Sequence, residues 1–464
     1  MIENALERFT ESLFLFLTGQ AKDVRSLLVK KHNENLQTHG DFSFPNSVKS
    51  WHEFAICDQV VDKENTTLLQ VIGKECEDIV EESKKWDLSV NKLKEEKGRI
   101  YLFLDRPRTI RVGLSEGLRN NSVLSQKIRE GSSVVQLDPC CKDQCDITSL
   151  RTKYLCNVIK NLCALNNVNT PIFVTSKSTS RSEGSHRVHC GTVLNSKSGA
   201  KETNISAEDF IRIRQDEMTL IAQHKYGVRV STDSKWKEFI AHLGESAAAF
   251  ELLQTKPSGA VKINFDCCSG SSKGASFILY NCARLETIIR TYNDKVCDGT
   301  YPELPHFDDV DFSLLVQEDE WHLIFNYILG LPSLLGNCLE VQACDFRPHH
   351  ICSYLCSMVR VVSQYYRKTR ILVEPRKHLL PVIYARIHML QILNETLKTC
   401  LNILNIKSIL LWALLRRDWL TERGTSAADK SRTAYTVARP KSPSVFLTSV
   451  NAVVNFGALR YFYL

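Results

Sequence analysis

The chain has 464 residues, of which 43% are hydrophobic and 24% are charged, a balance that excludes a wholly disordered protein. The formal net charge is +7, and much of it is local. Between Glu340 and Lys407, ten Lys or Arg residues stand against four acidic residues. Such a basic stretch favours a polyanionic partner such as a nucleic-acid backbone.

The N-terminus and the cysteines bear on localisation and metal binding. The opening MIENALERFTES is acidic and polar, unlike a signal peptide, so we expect reduced thiols in the cytoplasm, with the nucleus as an alternative. No apolar run reaches the length of a membrane helix without polar interruptions. The densest ligand groups are Cys140, Cys141 and Cys145, and His186, His189 and Cys190. Neither group has the paired spacing of a zinc module, so we expect no metal and mostly buried free thiols.

The hydrophobic pattern predicts a mostly α fold with a reduced α/β front portion and a C-terminal all-α helix bundle. The expected regions are a helical N-terminal region at 1–95, a truncated α/β region at 96–206, a helical connecting region at 207–317, a helix bundle at 318–407 and a tail at 408–464. The tail is basic and has no apolar stripe, as in a disordered extension or an alternative terminus.

Several elements are expected in the front half. The charged run at 74–97 is predicted as a solvated helix. Aromatic and branched residues at 99–112 indicate the start of a mixed α/β layer, and the pattern predicts strands at 133–137 and 188–194. A helix is expected at 150–164.

The second half predicts long helices, separated by Pro, Gly or charged turns. They lie at 277–292, 321–339, 348–368 and 381–404. In the last one, the apolar residues recur every three or four positions, which places them on one stripe of an amphipathic helix. That stripe is Ile387, Leu390, Leu393, Leu397, Leu401 and Leu404.

The last helix also carries a family resemblance. Ala385-Arg386-Ile387, then a leucine-rich helix and a terminal Leu-Asn-Ile, resembles the last helix of the DALR anticodon-binding domain of arginyl-tRNA synthetases. Segments 277–290 and 348–355 are similar to earlier helices of that family, and segment 363–372 is similar to its aromatic-then-turn segment; all keep the family's order along the chain. The strand at 189–194 resembles the one preceding the synthetase signature loop.

The chain departs from that family where the family's chemistry lies. A class I synthetase needs His-x-Gly-His at a helix start to stabilise charge on the ATP phosphates. The corresponding place here reads Asp146-Ile147-Thr148-Ser149. The lysine-rich second signature survives at most as Ser196-Lys197-Ser198-Gly199, about 45 residues later, too close for a complete doubly wound sheet. We therefore expect no aminoacylation, no catalytic residue and no cofactor.

The resemblance implies a degenerate, non-catalytic relative that binds tRNA. It further implies recognition of arginine tRNAs and their presentation to a tRNA N3-methylcytidine methyltransferase of the methyltransferase-like protein 2 type. Two alternatives stay open at this point. One is a residual synthetase-like enzyme, and the other is an RNA-independent helical scaffold.

RNA binding needs cations for phosphates and flat groups for splayed bases. The candidate tRNA-binding residues are Tyr280, Arg284, Arg347, Tyr354, Tyr365, Tyr366, Arg367, Lys368, Arg370, Arg386 and His388. Tyr280 and Tyr354 lie in apolar stripes, and their surroundings are as compatible with a core position as with RNA contact. Arg386 alternatively pairs within its own bundle. His349 and His350 are typical of a helix start rather than of metal ligands.

Overall fold

The computed structural model describes residues 2–21, 28–54, 66–132, 134–141, 145–177, 186–226, 234–265, 273–340 and 343–408. The chain divides into two compact units. Unit 1 comprises 1–129, 295–337 and 360–399, and unit 2 comprises 130–294, 338–359 and the described residues from 400 onward. Each unit combines three segments, and the five consecutive regions expected from sequence stay predictions. Apart from Ser408, the predicted tail lies outside the described residues.

Helices dominate the described chain. They are α1 (Ala5–Thr18), α2 (Leu36–His39), α3 (Leu68–Val71), α4 (Cys76–Ser83), α5 (Arg106–Glu130), α6 (Ile147–Leu165), α7 (Ala207–Tyr226), α8 (Ser234–Leu253), α9 (Lys273–Cys297), α10 (Glu318–His322), α11 (Leu331–Cys338), α12 (Pro348–Lys368) and α13 (Leu380–Ile403). A π-helix, Leu323–Ile328, follows α10 directly.

The strands are short. They are β1 (Lys30–Lys31), β2 (Phe42–Pro45), β3 (Val90–Glu96), β4 (Arg99–Leu104), β5 (Val135–Leu137), β6 (Ile172–Thr175), β7 (His186–His189), β8 (Val193–Asn195), β9 (Val261–Ile263), β10 (Leu339–Glu340) and β11 (Asp345–Phe346). The predicted fold class, mostly α with small sheets in the front portion, is confirmed.

Unit 1 contains an antiparallel sheet in the order β1-β2-β4-β3. The prediction of one solvated helix across 74–97 is therefore wrong, because only α4 is helical there and β3 follows. The turn from β3 to β4 explains this: Lys97 and Gly98 both have positive φ, at 52° and 70°, which reverses the chain into a tight hairpin. The charged residues of β3 suit the edge strand of a sheet.

The core of unit 1 forms where this sheet meets helices. Ile100, Leu102 and Leu104 alternate with partly exposed residues along β4 and are buried on one face. Helix α5 packs very closely against the π-helix, because Gly117 has no side chain: a Cβ there would clash with Ile328. The amide of Asn121 donates to the Ile392 carbonyl at 3.2 Å and thereby ties α5 to α13.

Unit 2 contains a parallel sheet in the order β5-β6-β7 and a separate parallel pair, β8-β9. The predicted strand at 188–194 is split into β7 and β8 at Gly191, where a Cβ would clash with the Gly259 carbonyl. Buried Arg151 on α6 fixes this approach, since its Nη1 donates to the carbonyls of Gly191 and Gly259, both at 2.7 Å.

The C-terminal helices follow the predicted periodicity closely. Helix α12 has the expected bounds, and α13 differs from its prediction by one residue at each end. The helix expected at 321–339 is instead interrupted by the π-helix. In the turn that follows the π-helix, a Cβ at Gly330 would clash with the Asn326 carbonyl, so there is no room for a side chain. Among the described residues, no helix is long and apolar enough to cross a membrane.

Candidate nucleic-acid interface

An exposed basic surface of unit 1 follows α12. We call residues 360–378 the basic segment: it runs from the middle of α12 to the residues just before α13. The sequence of this segment contains six cations and one acidic residue, Glu374, and all six cations are exposed. They are Arg360, Arg367, Lys368, Arg370, Arg376 and Lys377.

Two ion pairs of this segment have largely exposed cations, although Asp319, which lies outside the segment, is only 15% exposed. The Lys368 ammonium lies 3.3 Å from Asp319, and Arg376 lies 2.9 Å from Glu374. The side chains of Lys368 and Arg376 remain 61% and 64% exposed. Surface pairs of this kind contribute about 0–1 kcal/mol, so these cations can exchange their carboxylates for phosphates.

Tyr365, one of the predicted contacts, is buried at 1% exposure. Its hydroxyl donates to Glu320 Oε1 at 2.8 Å. Burial, and then the Glu320 charge, raise the pKa of Tyr365. A phenol held in this way cannot stack on a base, so we place Tyr365 beneath the candidate surface as a support.

Arg386 meets the same carboxylate from α13. Its Nε donates to Glu320 Oε1 at 2.8 Å, and its side chain is only 13% exposed. Glu320 Oε2 accepts from the backbone N–H of Gln317 at 3.0 Å. The fully buried Glu320 carboxylate therefore joins α10, α12 and α13. Arg386 forms an ion pair within its own helix bundle, which is the alternative to RNA contact that the sequence left open.

Two further hydrogen bonds hold the middle of the basic segment. The Thr369 hydroxyl donates to Gln317 Oε1 at 2.6 Å, next to the α10 N-terminus. The hydroxyl of Tyr301 donates to the Val373 carbonyl in the middle of the segment. These contacts fix the loop between α12 and α13 at several points, while its cations face outward.

His388 also has an internal role. Its Nε2 lies 3.0 Å from the Pro305 carbonyl, and its ring packs edge-on against Phe307 and Phe312. Burial lowers the pKa of His388 although the carbonyl opposes the shift. At neutral pH the ring is therefore not a cation for a phosphate. Tyr366, by contrast, is half-buried beside the exposed cations.

Four predicted residues belong to unit 2. Arg284 is 7% exposed, donates to the Tyr280 hydroxyl and lies 4.5 Å over the Tyr280 ring. Arg347 donates to Asp345 and Glu340, each at 2.8 Å, and so closes the β10-β11 hairpin. Tyr354 is half-buried on α12. These positions fit structural roles as well as recognition.

The predicted set omitted three exposed cations: Arg360, Arg376 and Lys377. Arg360 lies seven residues before Arg367, hence on the same side of α12. The charge count over Glu340 to Lys407 already included all three. Their outward placement, which the bare sequence does not supply, marks them as part of the surface.

The start of α6 is where the resemblance places a synthetase signature. Here Asp146 caps the helix, its Oδ1 accepting from the Ser149 N–H at 2.8 Å. Lys201 lies 3.3 Å from the same carboxylate, and Thr148 and Ser149 are buried. The helix N-terminus therefore already holds an anion of its own. Among the described residues, no group of three or more His, Cys, Asp or Glu side chains could hold a metal.

Comparisons with known proteins support the resemblance. Residues 278–409 match the family model described as the DALR anticodon binding domain. The chain is 31% identical over 223 residues to DALR anticodon-binding domain-containing protein 3 of Rattus norvegicus, covering 47% of this chain and 41% of that protein. It therefore spans about two fifths of the length of this relative. The expected family resemblance and the synthetase-type helical C-terminal region are confirmed.

More distant similarity reaches the synthetases themselves. Arginine--tRNA ligase of Geobacter sp. (strain M21) is 26% identical over 174 residues, which are 37% of this chain and 29% of that enzyme. The solved arginyl-tRNA synthetase of Thermus thermophilus has a TM-score of 0.38 at 17% identity, covering 51% of this chain and 40% of that one.

Proposed function

We propose that this chain, a relative of the DALR anticodon-binding domain-containing proteins, binds tRNA through the basic segment and does not itself catalyse a reaction. The exposure of all six cations between Arg360 and His378, with Glu374 as the only acid among them, carries this proposal. Association with the phosphate backbone gains free energy when such cations displace condensed counterions. The half-buried Tyr366 adds a flat ring at the edge of the same surface.

The support beneath the segment favours binding of a folded RNA. Because Tyr365 and Arg386 are fixed on Glu320, the two helices flanking the segment are held before any ligand arrives. A surface ordered in advance loses less conformational entropy on binding. The residues that RNA would contact are therefore Arg367, Lys368 and Arg370 together with the three cations that the sequence had not singled out.

The absence of catalysis is proposed from the start of α6. Phosphates bind at helix N-termini through free backbone N–H groups and the helix dipole. At α6 the Asp146 carboxylate takes that place and would repel a nucleotide phosphate. Neither signature histidine is present in Asp146-Ile147-Thr148-Ser149.

The finer part of the proposal concerns the RNA and the partner. We propose arginine isoacceptors because synthetases for arginine are among the relatives. On the resemblance stated above, the bound tRNA is presented to an N3-methylcytidine methyltransferase of the methyltransferase-like protein 2 type, which supplies the chemistry.

A triple substitution tests the surface. Replacing Arg367, Lys368 and Arg370 by Ala should weaken tRNA affinity at least about fivefold near 0.1 M salt, and should lower the salt slope of log K by about 2 to 3. Filter binding over a salt series measures both. The matched control replaces Lys84, Lys85 and Lys94 by Ala; these lysines are also exposed and each pairs with a glutamate.

The outcomes separate the alternatives. Equal loss in both triple variants would mean only a general charge effect and would contradict the assignment. If the protein is an RNA-independent scaffold, we expect the wild-type chain to bind no tRNA at any salt concentration. Arginine-dependent ATP–pyrophosphate exchange by the unchanged chain would show a residual synthetase and overturn the non-catalytic part.

A further inference from the structure

Lys31 in unit 1 is a lysine directed toward apolar surroundings. Strand β1 pairs Lys31 with Phe42, which is buried at 1% exposure. Directly paired residues lie on the same face of a sheet, so the Lys31 side chain shares the face of Phe42. Its ammonium lies 4.5 Å from the centre of the Phe325 ring. The neighbouring Lys30 is exposed, whereas Lys31 is only partly so.

The polar contacts of this amine are with uncharged groups. Its Nζ donates to Asn326 Oδ1 at 2.7 Å and to Asn33 Oδ1 at 2.9 Å. Asn326 lies in the π-helix and donates to the Asn33 carbonyl at 2.9 Å. Amide oxygens and a ring face compensate a buried positive charge poorly compared with a carboxylate.

The charged groups around it are few and themselves perturbed. Burial lowers the pKa of Lys31 to about 7, although the charge of Asp41 opposes the shift. Asp41 accepts from the Trp321 ring N–H at 3.0 Å, and burial raises its pKa to about 6. His322 lies next to the π-helix; burial first and then Lys31 lower its pKa, opposed by Asp319, Glu34 and Glu318.

The surroundings of Lys31 suit a reactive amine. π-Helices often occur at functional sites, and desolvated lysines are the ones that act as nucleophiles in proteins. Lys31 as a whole residue is partly exposed, so part of its side chain reaches solvent. We propose that Lys31 is a modification site that takes an acyl group from small acyl thioesters.

The chemistry balances without a further reagent. The lone pair of the neutral Lys31 Nζ attacks the thioester carbonyl carbon, the C–N bond forms and the C–S bond breaks. The thiolate leaves with the electron pair, and the amine proton passes to water. The product amide keeps one N–H in place of the two N–H donors of the neutral amine. It can therefore hold only one of Asn33 and Asn326, which weakens the tie between β1 and the π-helix.

Two variants make a matched pair for the test. Lys30→Arg leaves Lys31 as the acylable residue of β1, and Lys31→Arg leaves the exposed Lys30. Each full-length variant is treated with acetyl-coenzyme A between pH 6 and pH 10, and acetylation of that peptide is followed by mass spectrometry. Reaction in denaturing urea normalises the two peptides.

We expect Lys31 to react about tenfold faster than Lys30 near pH 7.5, because burial of the Lys31 amine favours its neutral, nucleophilic form. The rate of Lys31 should level off above about pH 8, because its amine is then almost fully neutral. Equal or slower reaction at Lys31 near pH 7.5, or a rate that rises in parallel with that of Lys30, overturns the proposal. The test is independent of RNA binding.

Discussion

Removing the Arg386 guanidinium tests the support beneath the basic segment. Arg386→Met keeps the apolar stem but deletes the positive partner of Glu320, which is 0% exposed. The carboxylate then retains the Tyr365 hydroxyl and the Gln317 N–H. Breaking a buried pair in this way costs about 3–5 kcal/mol, because one charge is left buried without compensation. We expect a loss of about 3 kcal/mol.

The measurement is native-state hydrogen exchange in α10, α12 and α13, because the chain has two units and a single unfolding transition is not assured. The double variant Glu320→Gln with Arg386→Met should recover much of the loss, since no buried charge then remains. Lys368→Met is the matched control: the Lys368 side chain is 61% exposed, so loss of its pair with Asp319 predicts a change within about 1 kcal/mol. If Arg386→Met is as mild as the control, Glu320 does not join the three helices as described.

Two further predictions concern packing and pH in unit 1. Gly117→Ala should destabilise the unit by about 1–3 kcal/mol in urea unfolding, because the added Cβ would clash with Ile328. Gly336→Ala is the control: its added Cβ would meet no atom of another part of the chain within 4 Å, so this change should be neutral or stabilising. An unchanged midpoint for Gly117→Ala would contradict the close approach. Because the folded pKa of Lys31, about 7, lies below its ordinary value of 10.5, the unfolded chain binds more protons between these values and stability should rise with pH there. Lys31→Gln should lose this rise in the free energy of unfolding between pH 7 and pH 10. If the variant and the wild-type chain show the same pH dependence, the predicted role of Lys31 is refuted.

The sequence predicted the C-terminal helices well, because an apolar stripe such as Ile387 to Leu404 is a local and repeated signal. It failed at 74–97, where Glu and Lys suit a solvated helix and an edge strand equally. The positive φ of Lys97 and Gly98 and the pairing with β4 decided between them. Non-local pairing of this kind leaves little trace in a charge pattern.

The candidate site shows the same division. The cations of the basic segment were evident from composition, whereas their exposure is known only from the structure. The convergence of Tyr365 and Arg386 on one carboxylate was not evident, because both contacts depend on Glu320, which lies 45 and 66 residues away along the chain. Only the folded arrangement separates residues that support the surface from residues that form it.

The most direct measurement of the central claim is lysine footprinting of the full chain with and without tRNA. A small acylating reagent reports the accessibility of each lysine, and both Lys368 and Lys377 are exposed in the free protein. The tRNA-binding account predicts that tRNA protects these two lysines, that added salt removes the protection, and that Lys84 and Lys85 react equally in both samples. Protection confined to other lysines, or none at Lys368 and Lys377 under conditions where tRNA is bound, would contradict it.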